Sequence, residues 1–132
     1  MDIIKELLKD IPLPKMARVR QTFAAPEVED IRGTLCEELA KPEIARTVKS
    51  GMRVAIAAGS RGVAEISTIV QTVVAEVKKL GARPFIVPAM GSHGGATADG
   101  QKEVLANLGI TEESAGCPIL SSMEVVEIGR LD

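Results

Sequence analysis

The chain has a single histidine, His93, in the run Gly91-Ser92-His93-Gly94-Gly95. Imidazole is the side chain whose ordinary titration lies nearest neutrality, which makes it the natural proton-transfer group. Glycines on both sides let the backbone bend tightly and approach a ligand closely. A second run of similar character, Gly59-Ser60-Arg61-Gly62, carries an arginine. Arg61 stands where a long helix is expected to begin, and the positive end of that helix opposes a cation. An anionic ligand between the two would offset the conflict, because a guanidinium fork matches a carboxylate or phosphate. His93 is therefore the candidate catalytic residue. Arg61, Ser60, Gly91, Ser92 and Gly94 are candidate substrate- or cofactor-binding residues. Neither run is a dinucleotide fingerprint or a Walker loop. Ser60 and Ser92 read as hydrogen bonders rather than nucleophiles, since no His-acid pair can be assigned to either. One histidine without a cysteine or acidic cluster is a poor metal donor set, so no metal ligand is assigned.

The elements that must position these groups follow from the flanking patterns. Met52 to Ala58 is a short apolar run bounded by Gly51 and Gly59, which reads as a buried strand. Val63, Ile66, Val70, Val73, Val77 and Leu80 then mark one face of a long helix stopped by Gly81. Arg83 to Pro88 is a second buried strand. Strand, helix, strand over residues 52–88 is a βαβ unit with parallel strands, so both glycine-bearing loops open at the same carboxyl edge of the sheet, where open α/β sheets place ligands. Thr97 is a candidate N-cap, with Asp99 in the first turn, for a helix running to Leu108 and stopped by Gly109. Thr111 to Ser114 reads as a further single turn.

Around this core the pattern is looser. Asp2 to Asp10 has Ile3, Ile4, Leu7, Leu8 and Ile11 at helical spacing, an amphipathic helix that would pack on the domain or a partner, ended by the Ile11-Pro-Leu-Pro14 linker. Lys15 to Phe23 alternates in part and reads as an early edge strand. Pro26 opens a helix with Val28, Ile31, Leu35 and Leu39 on one face, and Pro42 restarts it with Ile44 and Val48 inward. Pro118 to Ile128 reads as a last strand, and the chain then ends at Leu131-Asp132 like a cut. The expected fold is α/β: a Rossmann-like three-layer domain with a mostly parallel sheet, one domain over residues 1–132 with 1–14 as N-terminal helix and linker.

Composition narrows the function classes. The 132 residues are 45% hydrophobic and 2% aromatic, without Trp or Tyr, so the core must be aliphatic. A net charge of -2, from 16 basic and 18 acidic residues, together with so few aromatics, lacks the basic and aromatic surface that nucleic acid requires. The two cysteines, Cys36 and Cys117, are too few for a disulfide scaffold and read as core, which fits a reducing cytoplasm. No apolar run approaches the roughly 18 residues of a membrane helix, and Met1 to Asp10 does not resemble a signal peptide.

The segments AIAAGSRGVAEI (Ala55 to Ile66) and ARPFIVPAMGSHGGATADGQ (Ala82 to Gln101) resemble the N-terminal domain of the nickel-dependent lactate racemase family. The resemblance runs from about Met16 to the C-terminus and peaks at the two loops. It implies an isomerase that interconverts enantiomers of a 2-hydroxy acid by hydride transfer through a nickel-pincer nucleotide. Arg61 matches the family's strand-end arginine and His93 one of its two catalytic histidines. The second histidine, the lysine that tethers the cofactor and the nickel-ligating histidine would come from sequence beyond residue 132. The chain is then the N-terminal part of a longer protein, whose missing C-terminal part is its partner, and it holds no nickel and does not turn over alone. Ala58 replaces an acidic residue of the family pattern, Gly62 a proline and Gly94 an arginine, so a 2-hydroxy acid other than lactate is an equal expectation. Two other readings stay open. One is an anion- or nucleotide-binding Rossmann-like module without chemistry. The other is a scaffold half that closes over the rest of its chain or self-associates as a homo-oligomer.

Overall fold

A computed structural model describes residues 2–12 and 15–130. Leu13 and Pro14 of the expected linker, and Leu131-Asp132 at the chain end, lie outside the described residues. The architecture is α/β around a two-stranded parallel sheet. Strand β1 (Arg53–Ala58) pairs with β2 (Arg83–Pro88) in a register that runs from Arg53↔Arg83 to Ala58↔Pro88. Between them lies α4 (Ile66–Lys79), preceded in the chain by α1 (Asp2–Leu8), α2 (Ile31–Ala40) and α3 (Pro42–Ala45). After β2 come a 3-10 turn (His93–Ala96), α5 (Ala98–Asn107) and α6 (Glu112–Ala115). The strand-helix-strand unit at 52–88 is thus present as the apolar runs demand.

The core forms where α4 and α5 cover one face of the sheet. Ile86, Leu105, Ile110 and Val74 are fully buried and pack with Val70, Ala58, Ala115, Cys117 and Ile119. Full burial of an aliphatic side chain of this size contributes about 1.5–3 kcal/mol. The buried stripe of α4 is Val70, Val74 and Val77. Val63 and Leu80, expected on that stripe, are exposed, because the helix starts only at Ile66 and ends at Lys79. The opposite sheet face is open: Arg53, Ala55, Ala57 and Arg83 are exposed, and Phe85 is half-buried under the Arg53 guanidinium, 4.9 Å from its ring centroid.

Helix caps follow the sequence with one shift. Thr97 caps α5, its hydroxyl accepting from Gly100 N at 3.1 Å, and Thr111 and Ser114 bond reciprocally as a capping box on α6. α2 begins not at Pro26 but at Ile31, where the Asp30 carboxylate accepts from Gly33 N at 2.8 Å. Ile31, Leu35 and Leu39 are half-buried, whereas Val28 lies outside the helix and is exposed.

Two expected strands are not formed. Lys15–Phe23 makes no ladder, and Met16, Val19 and Phe23 are exposed. The last strand shrinks to one parallel bridge, Ile86↔Ile119, with Ile86 N donating to Pro118 O and Leu120 N to Ile86 O, each at 2.8 Å. Beyond it Val125, Val126 and Ile128 are exposed. α1 forms, yet Ile3, Ile4, Leu7 and Leu8 all face solvent, so its apolar stripe does not pack on the domain. Among the described residues no helix is long and apolar enough to cross a membrane.

Candidate functional site

Both glycine-bearing loops leave the sheet at its carboxyl edge, as the parallel register requires. Ala89 N donates to Ala58 O at 2.8 Å, extending the ladder one step and fixing the two loop entrances side by side. From there Gly59, Ser60 and Arg61 face Ala89, Met90 and His93 across an open cleft of about 320 Å³.

His93 is bonded through both ring nitrogens. Arg61 Nη2 lies 2.9 Å from His93 Nε2, although 32 positions separate the residues, and Ser60 Oγ lies 2.5 Å from His93 Nδ1. A guanidinium can only donate, so Nε2 must be the acceptor and carries no hydrogen. The ring hydrogen of the neutral imidazole is then on Nδ1 and is donated to Ser60 Oγ. This fixes a tautomer by geometry: Nε2 presents a lone pair, and the Ser60 hydroxyl hydrogen stays free for a guest. Arg61 does not sit against the positive end of α4 as expected. Arg61 precedes the first residue of α4, Ile66, by five positions, and what orients it is the imidazole rather than the helix.

The other candidates divide. Gly91 and Ser92 are exposed and do not line the cleft. Gly94 turns away from it, and a Cβ there would stand 2.3 Å from Gly100 C and 2.5 Å from Gln101 N. Its bare Cα therefore serves contact with α5. Met90, which closes the cleft beside His93, carried no chemical signal in the sequence.

The Cys36 thiol is pushed up because it donates to the Glu76 carboxylate at 3.2 Å, and Glu76 is held down chiefly by its hydrogen bond from Lys79 at 2.6 Å. Burial raises the Cys117 thiol. Cys36 is thus half-exposed and hydrogen-bonded rather than core, whereas Cys117 is core as expected. A larger apolar cleft of about 540 Å³ lies between α2 and α4, but Glu27 is its only ionisable lining residue.

The residues present do not fit a nickel centre. Among the described residues no three His, Cys, Asp or Glu side chains stand close enough to hold a metal ion, and both nitrogens of His93 are already engaged. No protein-family model, curated protein or solved structure matches the chain.

Proposed function

We propose that this chain supplies the proton-transferring and carboxylate-holding part of an isomerase that interconverts enantiomers of a 2-hydroxy acid. The observation that carries the reading is the hydrogen bond from Arg61 Nη2 to His93 Nε2. A carboxylate is a stronger, bidentate partner for a guanidinium than an imidazole nitrogen is. A 2-hydroxy acid brings a carboxylate and a hydroxyl on adjacent atoms. As its carboxylate takes the Arg61 fork, Nε2 is released at the place where the hydroxyl arrives. Nε2 then accepts the hydroxyl proton, while Nδ1–H remains on Ser60 Oγ and steadies the imidazolium. A simple carboxylate would take only the first of these steps.

Once Nε2 has taken the hydroxyl proton, the carbon becomes the planar carbonyl of a 2-keto acid only if its hydrogen leaves as hydride, and no side chain of the cleft accepts a hydride. The family resemblance supplies a nickel-pincer nucleotide for that purpose, and these residues do not hold it, so the proton and the carboxylate are the share assigned to this chain. The same reading places the domain in the cytoplasm. It also places further elements of a three-layer Rossmann-like fold over the open sheet face at Ala55, Ala57 and Phe85. One observation favours a second reading, an anion-binding module: the cleft lining contains no titratable group besides Arg61 and His93.

The test follows the imidazole nitrogens of His93 by NMR while lactate, other 2-hydroxy acids and acetate are added. The 2-hydroxy acid is expected to shift Nε2 differently from acetate, and Arg61→Gln to weaken binding at least about tenfold, the loss of one charge-assisted contact. In a protein that also carries the hydride acceptor, His93→Ala abolishes isomerisation and leaves cofactor loading intact. Identical responses to acetate and the 2-hydroxy acid favour the binding module, and no response to either removes both readings.

A further inference from the structure

We infer that Gln101 is the positioning residue of this site, the side chain through which α5 holds the His93 loop in register with Ser60 and Arg61. The inference rests on His93 being the proton carrier and adds the element that keeps it in place. Among the described residues two polar side chains are buried, Thr72 and Gln101. The Thr72 hydroxyl donates to Thr68 O one turn back in its own helix, an ordinary intrahelical bond. Gln101 reaches out of its helix, and its Nε2 donates to Gly91 O at 2.8 Å. Leaving a buried amide without a partner is costly, so the 5% exposure of Gln101 makes this contact a strong constraint.

The same residue meets the loop again on the far side of His93. Gly94 packs its bare Cα against the Gly100–Gln101 peptide so closely that a Cβ would lie 2.5 Å from Gln101 N. Gln101 N in turn donates to Thr97 O at 3.0 Å, and the Thr97 hydroxyl donates to Gly94 O at 3.0 Å. The loop is therefore tied to Gln101 two residues before the imidazole, through a side-chain bond, and one residue after it, through backbone contact. At the two ties and just past the second, the backbone passes through left-handed conformations at Gly91, Gly94 and Gly95 (φ 58°, 64° and 65°). Nothing in such a glycine-rich segment would select one conformation without external contacts. Removing the amide frees the Gly91 end and lets the ring leave the geometry that fixes hydrogen on Nδ1.

His93 is the only histidine, so its ring nitrogens can be observed alone. In the unmutated chain the Nδ1–H tautomer is expected to dominate. In Gln101→Met, which keeps length and apolar volume but loses the donor, its share is expected to fall several-fold toward that of a free imidazole, with the core resonances of Ile86 and Leu105 unmoved. Gln101→Leu, of similar apolar volume and also without a donor, is expected to behave as Gln101→Met does. A folded Gln101→Met or Gln101→Leu chain with the original tautomer ratio overturns the proposal. If neither variant folds, the unmutated chain decides: a scalar coupling across the hydrogen bond from Gln101 Nε2 to the Gly91 carbonyl carbon supports the contact, and its absence overturns it. Tautomer loss in a chain that never responds to 2-hydroxy acids supports the positioning role and removes the isomerase reading. An unchanged tautomer in a variant that still responds does the reverse.

Discussion

The loops after β1 and β2 have similar composition and opposite construction. The first, Gly59 to Glu65, contributes two side chains to the cleft, and its backbone is largely free of close neighbours: a Cβ on Gly62 would meet nothing within 4 Å. The second, Ala89 to Thr97, contributes the imidazole and is tied to α5 on either side of it. A proton carrier must be held to a fraction of an ångström, whereas a long guanidinium can follow its anion. The difference in construction matches the difference in task.

The sharpest way to break this comparison is to place a methyl group in each loop. Gly94→Ala drives a Cβ into the Gly100–Gln101 backbone, and backbone cannot yield as a flexible side chain does. Overpacking and left-handed strain together should cost about 3 kcal/mol, read as a lower denaturant midpoint, and the His93 tautomer should be lost. Of smaller size is the effect of Arg61→Lys. The lysine keeps the charge and loses the fork, so the affinity for a 2-hydroxy acid should fall about tenfold while the unfolding midpoint stays put. Smaller again is Gly62→Ala, where the space is open and only the positive φ of 59° is paid for, about 1 kcal/mol in a denaturation curve. Equal losses from Gly94→Ala and Gly62→Ala would mean that the second loop is not held as described.

How far these loops can be read from sequence depends on what surrounds them. The runs Met52–Ala58 and Arg83–Pro88 announce their strands because glycines bound them and a long apolar-faced helix lies between, and the parallel pairing then puts Arg61 and His93 at one edge. That placement needs only topology. The Ser60–His93 contact needs side-chain geometry, which composition does not carry. Gln101 escapes notice for a related reason. A glutamine in a helix ordinarily faces water, and only its place one turn before Leu105 on the inward stripe hints otherwise. Lys15–Phe23 and Met123–Ile128 mislead in the other direction. Their apolar residues have the spacing of strands, but a strand exists only where another edge takes its hydrogen bonds, and among the described residues β1 pairs with β2 alone. The same holds for α1, whose stripe is legible while the surface to receive it is not.

The smallest effect separates the loops near their ends. Each has a non-glycine in the left-handed region immediately before a helix or its cap: Glu65 at φ 55° before α4, Ala96 at φ 54° before Thr97. The conformational cost is about 1 kcal/mol at either. Ala96 has only a methyl group and is exposed, so Ala96→Gly removes that cost and loses little contact. The extra freedom glycine gives the unfolded chain offsets part of the gain, leaving a net stabilisation of about 0.5 kcal/mol. Glu65 differs because its carboxylate accepts from the Thr68 hydroxyl at 3.0 Å. Glu65→Gly would relieve the same strain and break that bond, so its midpoint should stay unchanged or fall. A gain for Ala96→Gly with none for Glu65→Gly in parallel denaturation curves is the expected outcome. A gain at Glu65 as large as at Ala96 would show that the first loop is as free of side-chain restraint at its end as it is at Gly62.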